Sequence, residues 1–224
     1  MFEVTEAWRQ AYPTAAVGFL WMRGVSNPEG HPGLDRRKEE LETELRRRFA
    51  GLDRAALRAL PTLAAYAAYY RRFDKTYHVQ LQLESVVLKG RSIPRVAALV
   101  EAMFMAELQS QLLTAGHDVA LVEPPVRVDV ASGSEVYTLL NGPEQALKAG
   151  DMYIADSQGV LSSIIYGPDN RSRIRPETEE VLFTVYAPPG IEPAAVHAHM
   201  DEIRSLVELV SPAAETVAQR LLPG

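Results

Sequence analysis

Residues Arg127 to Ala187 read RVDVASGSEVYTLLNGPEQALKAGDMYIADSQGVLSSIIYGPDNRSRIRPETEEVLFTVYA. Short apolar runs alternate with Gly, Asn, Pro and Asp, the pattern of strands joined by tight turns. A sheet is therefore expected from near Val126, with turns at Gly133, Asn141-Gly142, Gly150-Asp151 and Gly167 to Asn170. Three pieces are less generic than the rest: Glu135 with Leu139-Leu140-Asn141-Gly142, then Tyr153-Ile154-Ala155-Asp156, then Thr178 ahead of Val181-Leu182-Phe183.

The chain before this stretch reads as mostly helical. The exception is Ala15 to Met22, a continuous apolar run too short for a core helix and so expected to be a buried strand. A loop, SNPEGHPG, leads to a charged helix from Leu34, whose Glu39, Glu40, Glu42 and Glu44 precede Arg46, Arg47 and Arg48, an order that suits the helix dipole. Asp53 is expected to cap a short helix to Leu60, and Pro61 to open another through Tyr70. Its Tyr66, Tyr69 and Tyr70 read as packing and rim residues rather than a base-stacking platform. Leu81 to Leu88 give a further helix closed by Gly90.

From Pro94, the residues Val96, Leu99, Val100, Met103, Phe104, Glu107, Leu108, Gln111 and Leu112 recur at spacings of three and four. This predicts a long amphipathic helix with one face on the sheet, terminated by Gly116. Val196, Met200, Ile203, Val207 and Val210 predict a closing helix, followed by Pro212, with Leu-Pro-Gly as a frayed tail. With no repeat, low-complexity tract or linker, residues 1–224 read as one α+β unit.

Composition narrows the chemistry. The chain has 224 residues, 47% of them hydrophobic, enough for a substantial core. No apolar run approaches the ~20 residues that cross a bilayer, and MFEVTEAWRQ has no apolar signal core, so a cytoplasmic protein away from membranes is expected. There are no cysteines, which excludes disulfides, thiolate zinc sites and cysteine nucleophiles. A net charge of −6 provides no global attraction to a polyanion, so any nucleic-acid contact must be local. Three clusters qualify: Arg71, Arg72 and Lys75; Lys89, Arg91 and Arg95; and Arg171, Arg173 and Arg175. Each also fits an ordinary solvated face.

The chain has no Gly-rich phosphate loop and no nucleophile elbow. His197 and His199, two apart on a helix, point in different directions, so no metal site is expected. His117-Asp118 reads either as an acid–base pair or as a loop histidine beside a capping aspartate. Glu135 reads as a general base, as an acceptor in a pocket, or as an exposed strand-start residue.

The order of short motifs resembles the B3/B4 domain of the phenylalanyl-tRNA synthetase β subunit. Tyr70-Arg71-Arg72-Phe73-Asp74-Lys75, Leu83-Glu84 through Leu88-Lys89-Gly90, Pro94-Arg95 and Leu99-Val100-Glu101 are similar to its opening helices, and Gly116-His117-Asp118 to the turn after them. Arg127, Glu135 to Gly142, Tyr153-Ile154-Ala155-Asp156 and Glu177-Thr178 before Val181-Leu182 are similar to its sheet. The likeness spans roughly residues 66 to 189, and it implies an α+β fold with a mostly antiparallel sheet flanked by helices. The synthetase's aminoacylation core and ATP-binding motifs have no counterpart, so the chain is expected to be a free-standing domain that does not charge tRNA.

In the synthetase that domain hydrolyses tRNA for phenylalanine wrongly charged with tyrosine. The resemblance makes Glu135 the amino-acid-reading glutamate and Ala155 the small pocket wall. A carboxylate in a dry pocket rejects a substrate lacking the matching hydroxyl by roughly 10⁴ or more, because the buried charge is left unpaired. His117, Asp118 and Ser163 become holders of water or backbone, and Arg171, Arg173 and Arg175 holders of the tRNA acceptor end. The ester is already activated, so a positioned water can suffice without a metal or organic cofactor. Phe104 stands where the family often has asparagine, and Ser163-Ile164 where it has a glycine pair. A module that binds tRNA or an amino acid without turnover is the second expectation.

Overall fold

Thr5 opens the first helix by accepting the Trp8 N–H on its hydroxyl, between a short strand and the apolar run that becomes a central one. In the computed structural model, which describes residues 2–224, these are β1 (Phe2–Val4), α1 (Glu6–Ala11) and β2 (Ala16–Arg23). Four helices follow: α2 (Pro32–Arg48), α3 (Arg54–Arg58, capped by Asp53 as its sequence predicts), α4 (Pro61–Arg71) and α5 (His78–Val87). After α6 (Ala98–Ser110) come β3 (Leu113–Asp118), β4 (Val126–Val130), β5 (Val136–Thr138), β6 (Glu144–Ala146), β7 (Met152–Asp156), β8 (Gly159–Ser163), β9 (Gly167–Pro168) and β10 (Glu180–Ala187). The chain closes with α7 (Pro193–Val210) and β11 (Glu215–Pro223).

The fold is α+β, with two principal sheets and helices against them. One sheet has the order β11-β2-β10-β3 and is antiparallel throughout; the other has the order β1-β4-β7-β8-β9, parallel only at β1-β4. A separate hairpin, β5-β6, stands beside the second sheet. The residues of β2 and β10 are almost entirely buried because the β10 face carries helices and β2 is covered by α7. Gly18 lets α7 approach: a Cβ there would lie 2.8 Å from Val196.

Helix α4 bridges the two sheets through its tyrosines, all buried. Tyr66 donates to the Tyr186 carbonyl on β10 and accepts from the Leu113 N–H on β3. Tyr69 donates to Asp151 Oδ1 at 2.7 Å, and Tyr70 to the Ile164 carbonyl at 2.6 Å. Tyr77 joins them, its ring stacked on Tyr66 with centroids 4.2 Å apart and its hydroxyl on the Gln111 carbonyl. Each buried phenol thus has a polar partner, the condition for burying it without a net loss.

Three expectations are corrected. Gly116 does not terminate a helix. Gln111 ends α6 in a left-handed conformation (φ 62°), and the chain turns at once into β3, with Gly116 inside the strand. The strand-and-turn region expected from Val126 therefore begins at Leu113. Helix α6 starts at Ala98 rather than Pro94 and is buried on nearly all sides, packed by α2, α5, α7 and β3 instead of lying on a sheet by one face. The C-terminal tail is not frayed. Leu222 and Pro223 complete β11, which pairs with the length of β2, and the Gly224 N–H reaches the Ala15 carbonyl. Without it, β2 would present an open, apolar sheet edge.

Candidate functional site

A cavity of about 300 Å³ opens where α5, α6, β3 and the segment after β8 converge. Val100, Met103 and Phe104 of α6, Leu113 and Ala115 of β3, and Ile164 and Ile174 make its wall mostly apolar. Leu140, exposed at the β5-β6 turn, reaches its mouth. The polar contributors are His78 and Gln82 from α5, Glu107 from α6, Thr114 from β3, Ser163, Arg173 and Tyr186. The size suits one amino-acid side chain with its polar head, at the small end of ligand pockets.

Local sequence explains the opening. A Cβ on Gly116 would meet Ile174 Cδ1 at 2.6 Å, so only glycine lets that isoleucine lie flat over β3. Gly167, at φ +80°, makes the turn that brings Pro168 to the wall.

Most of the polar wall is engaged by the protein itself. Thr114 Oγ1 meets His199 Nε2 at 2.6 Å, and His199 Nδ1 meets Ser110 Oγ at 2.7 Å. Burial pushes the pKa of His199 down to about 3, so it is a neutral spacer. Ser163 Oγ accepts from the Tyr166 N–H, and the Tyr186 hydroxyl is held by Ser162. Burial lowers the His78 pKa as well. Glu107 differs. Its Oε1 accepts from the Thr114 N–H at 2.8 Å, while its Oε2 is buried with no partner. Burial pushes its pKa up to about 8, against the opposing hydrogen bond from Thr114.

Of the site residues expected from the sequence, Ser163 and Arg173 lie in this wall, as do Phe104, Ile164 and Leu140, whereas Glu135, Ala155, His117, Asp118, Arg171 and Arg175 lie outside it. Glu135 is half-buried in the turn before β5, where its carboxylate accepts from Ser132 N–H, Ser132 Oγ and Gly133 N–H at 2.8–3.1 Å. Partial burial pushes its pKa up, and these hydrogen bonds more than offset that, leaving it below the ordinary value. Ala155 lies on β7 in a small satellite core with Tyr137, Tyr153, Leu147 and Val160.

His117 is fully buried in β3. Its ring nitrogens face Ser172 Oγ at 2.7 Å and Ser162 Oγ at 3.2 Å, and burial, followed by the charge of Arg171, pushes its pKa down to about 3. It is not in a loop. Asp118 does act as a cap, for the turn at Val119–Leu121, and it also accepts from Arg175 at 2.8 Å and from Thr178 Oγ1 at 3.0 Å. Arg171 grips Asp156, and Arg173 bonds its own loop at Asn170.

The signal missed in the sequence was Glu107, a carboxylate inside the apolar stripe of α6. Gln82 and His78 carried no signal, because only the packing of α5 against α6 brings them to the cavity, Gln82 half-buried and His78 at its exposed rim. Among the described residues no group of three or more His, Asp or Glu is placed to hold a metal ion, and no helix is long and apolar enough to cross a membrane.

An α+β fold built around a small apolar cavity is thus the class of protein in hand. The chain belongs to the B3/4 domain family, whose model matches residues 63–209. Its fold is similar to that of an N-terminal fragment of the phenylalanyl-tRNA synthetase β-subunit from Pyrococcus horikoshii, with a TM-score of 0.52 at 12% identity, over 100% of this chain and 54% of that one. The chain therefore spans about half the length of that fragment. No curated protein matches it in sequence.

Proposed function

We propose that this protein is an aminoacyl-tRNA deacylase that hydrolyses the ester of wrongly charged tRNA. The observation that carries the reading is an apolar cavity of about 300 Å³ lined by residues of the B3/4 region. In this reading the amino-acid side chain enters among Val100, Met103, Phe104 and Ile174, and the terminal ribose lies at the mouth beside Arg173 and Leu140. Ser163 is buried at the wall with its hydroxyl oxygen accepting from Tyr166 N–H, and its hydroxyl faces the buried Asp151 carboxyl, whose pKa burial pushes up to about 7. A positioned water is the route in this reading because the ester is already activated, with orientation supplying much of the rate.

Glu135 and Ala155 contribute to the site in this proposal through the β5-β6 hairpin. Glu135 fixes the turn from which the hairpin starts, Tyr137 on β5 packs in the satellite core with Ala155, and Leu140 at its tip meets the cavity. The second reading is a module that binds an amino-acid derivative or tRNA without turnover. It is favoured by the engagement of Thr114, Ser163, Arg173 and Tyr186 of the wall in internal hydrogen bonds. Incubating the purified protein with a panel of mischarged tRNAs and measuring amino-acid release decides between them: release supports the deacylase, and binding without release the module.

A further inference from the structure

Helix α6 brings one carboxyl group to the wall of the apolar cavity with half of its hydrogen-bonding capacity unused. Glu107 is 1% exposed. The bond from the Thr114 N–H to Oε1 ties β3 to the helix, and a glutamine would accept it equally well. Nothing in the fold requires the second oxygen, yet Oε2 is buried without a donor. A polar atom buried in this way without a partner destabilises the protein until something pairs with it.

The neighbours do not supply the missing donor. Thr114 Oγ1 is engaged by His199 and the Tyr186 hydroxyl by Ser162, while Ser163 Oγ, which accepts from the Tyr166 N–H, has its hydroxyl on the Asp151 carboxyl. Arg173, the one cation of the cavity wall, turns to Asn170. Burial and the Thr114 bond alone set the state of the carboxyl, with no charged partner acting on it. A second oxygen in the same wall, Gln82 Oε1, is also buried without a partner. Because the amide can be turned over, Gln82 offers a ligand either an acceptor or a donor. Glu107, which burial keeps protonated near neutral pH, becomes a pure acceptor once it gives up that proton, and then asks for a donor, ideally a cationic one.

We propose that Glu107 receives the α-ammonium group of an aminoacyl ligand whose apolar side chain lies against Val100, Met103, Phe104 and Ile174. Resting on the aminoacyl reading above, this makes Glu107 a specificity-determining residue rather than a catalytic one. An ammonium N–H satisfies Oε2, its charge balances the carboxylate, and the proton that Glu107 held leaves to solvent. A ligand whose amine is acylated carries no charge and no longer compensates the buried carboxyl, so the cavity rejects it.

The test is calorimetric titration of the protein with the amides of phenylalanine, leucine, methionine and valine and with their Nα-acetyl counterparts, for the wild type and Glu107→Gln. Amides are used because they resist hydrolysis. The wild type is expected to bind at least one free amide at least ~10-fold more tightly than its acetylated form, the order of a charge-assisted hydrogen bond. Glu107→Gln is expected to lose that preference while keeping the Thr114 bond and the fold. Equal affinity of the wild type for the two forms, binding of neither, or a preference unchanged in Glu107→Gln would overturn the proposal. The wild-type comparison decides by itself if the variant does not fold. Deacylase activity with no preference for the free amine would remove Glu107's role and leave the deacylase reading standing. Amine selectivity that depends on Glu107, without release from any tRNA, would do the reverse.

Discussion

Arg171 grips Asp156 with both arms of its guanidinium, Nη1 to Oδ2 at 3.0 Å and Nη2 to Oδ1 at 2.9 Å, and Nη1 also donates to the Leu121 carbonyl at 2.7 Å. The Asp156 side chain is fully buried, so this pair fastens β7 to the segment before β10. Removing the arginine leaves a buried carboxylate without its counter-charge. Arg171→Ala should lower stability by roughly 2–3 kcal/mol, below the usual cost for a buried pair because the guanidinium is itself partly exposed. Urea unfolding measures this, and an unchanged midpoint would contradict it.

Arg175 repeats the arrangement with Asp118, whose side chain is 2% exposed, so Arg175→Ala should also act on stability first. Arg173, held only by Asn170 of its own exposed loop and by no carboxylate, is the member of the trio placed to face a ligand. If tRNA is bound at the cavity, Arg173→Ala should weaken binding and reduce the slope of log affinity against log salt by about one unit, leaving the urea midpoint unchanged. An unchanged slope would make Arg173 a surface residue without a phosphate contact.

These arginines show why part of the molecule was legible in the sequence and part was not. The capping role of Asp53, the breaks at Pro61 and Pro212 and the turn glycines act locally, and their positions were read correctly. What Arg171 and Arg175 do depends on carboxylates 15 and 57 residues away along the chain, a pairing that no local pattern encodes. The same limit applied to Gly116. Read locally it is a helix stop, whereas its reason is the approach of Ile174 across β3. Strand β11 gives no local strand signal and its Leu-Pro-Gly end reads as a tail, because ETVAQRLLP mixes polar and apolar residues as an edge strand does and its partner β2 lies at the other end of the chain. Of the cavity, the apolar stripe of α6 was legible, while the inward turn of α5 was not.

Glu135 is expected to act through its turn. Its carboxylate accepts from two backbone N–H groups and a hydroxyl, so Glu135→Ala should free the loop at Ser132–Ser134 and loosen the hairpin that carries Leu140. For a deacylase, the expected outcome is a rise in KM of several-fold for tyrosyl and phenylalanyl tRNA alike, with little change in kcat, as for lost positioning. Loss of preference between the two substrates would instead assign Glu135 to direct reading of the side chain, the role that the family resemblance gives it. A fall in kcat of about 10²–10⁴ on both would make it a general base.

The buried carboxyls define how stability depends on pH. Burial pushes the pKa of Glu107 up to about 8 and that of Asp151 up to about 7, the latter against hydrogen bonds led by that from Tyr69. Both folded values lie above those of an unfolded chain, about 4.3 for Glu and 3.9 for Asp. The native state therefore holds protons that the unfolded state has released. Stability from this source is fully present below about pH 4 and is lost as pH rises through 7 for Asp151 and 8 for Glu107. Glu107→Gln removes one of the two contributions without removing the bond to Thr114. The stability of the variant relative to the wild type should then rise by about 1 kcal/mol per pH unit between pH 5 and pH 8 and level off above that. Urea unfolding of both proteins at intervals across this range measures the difference directly. Curves that stay parallel would show that Glu107 titrates in the ordinary carboxylate range, and that its second oxygen finds a donor in solution.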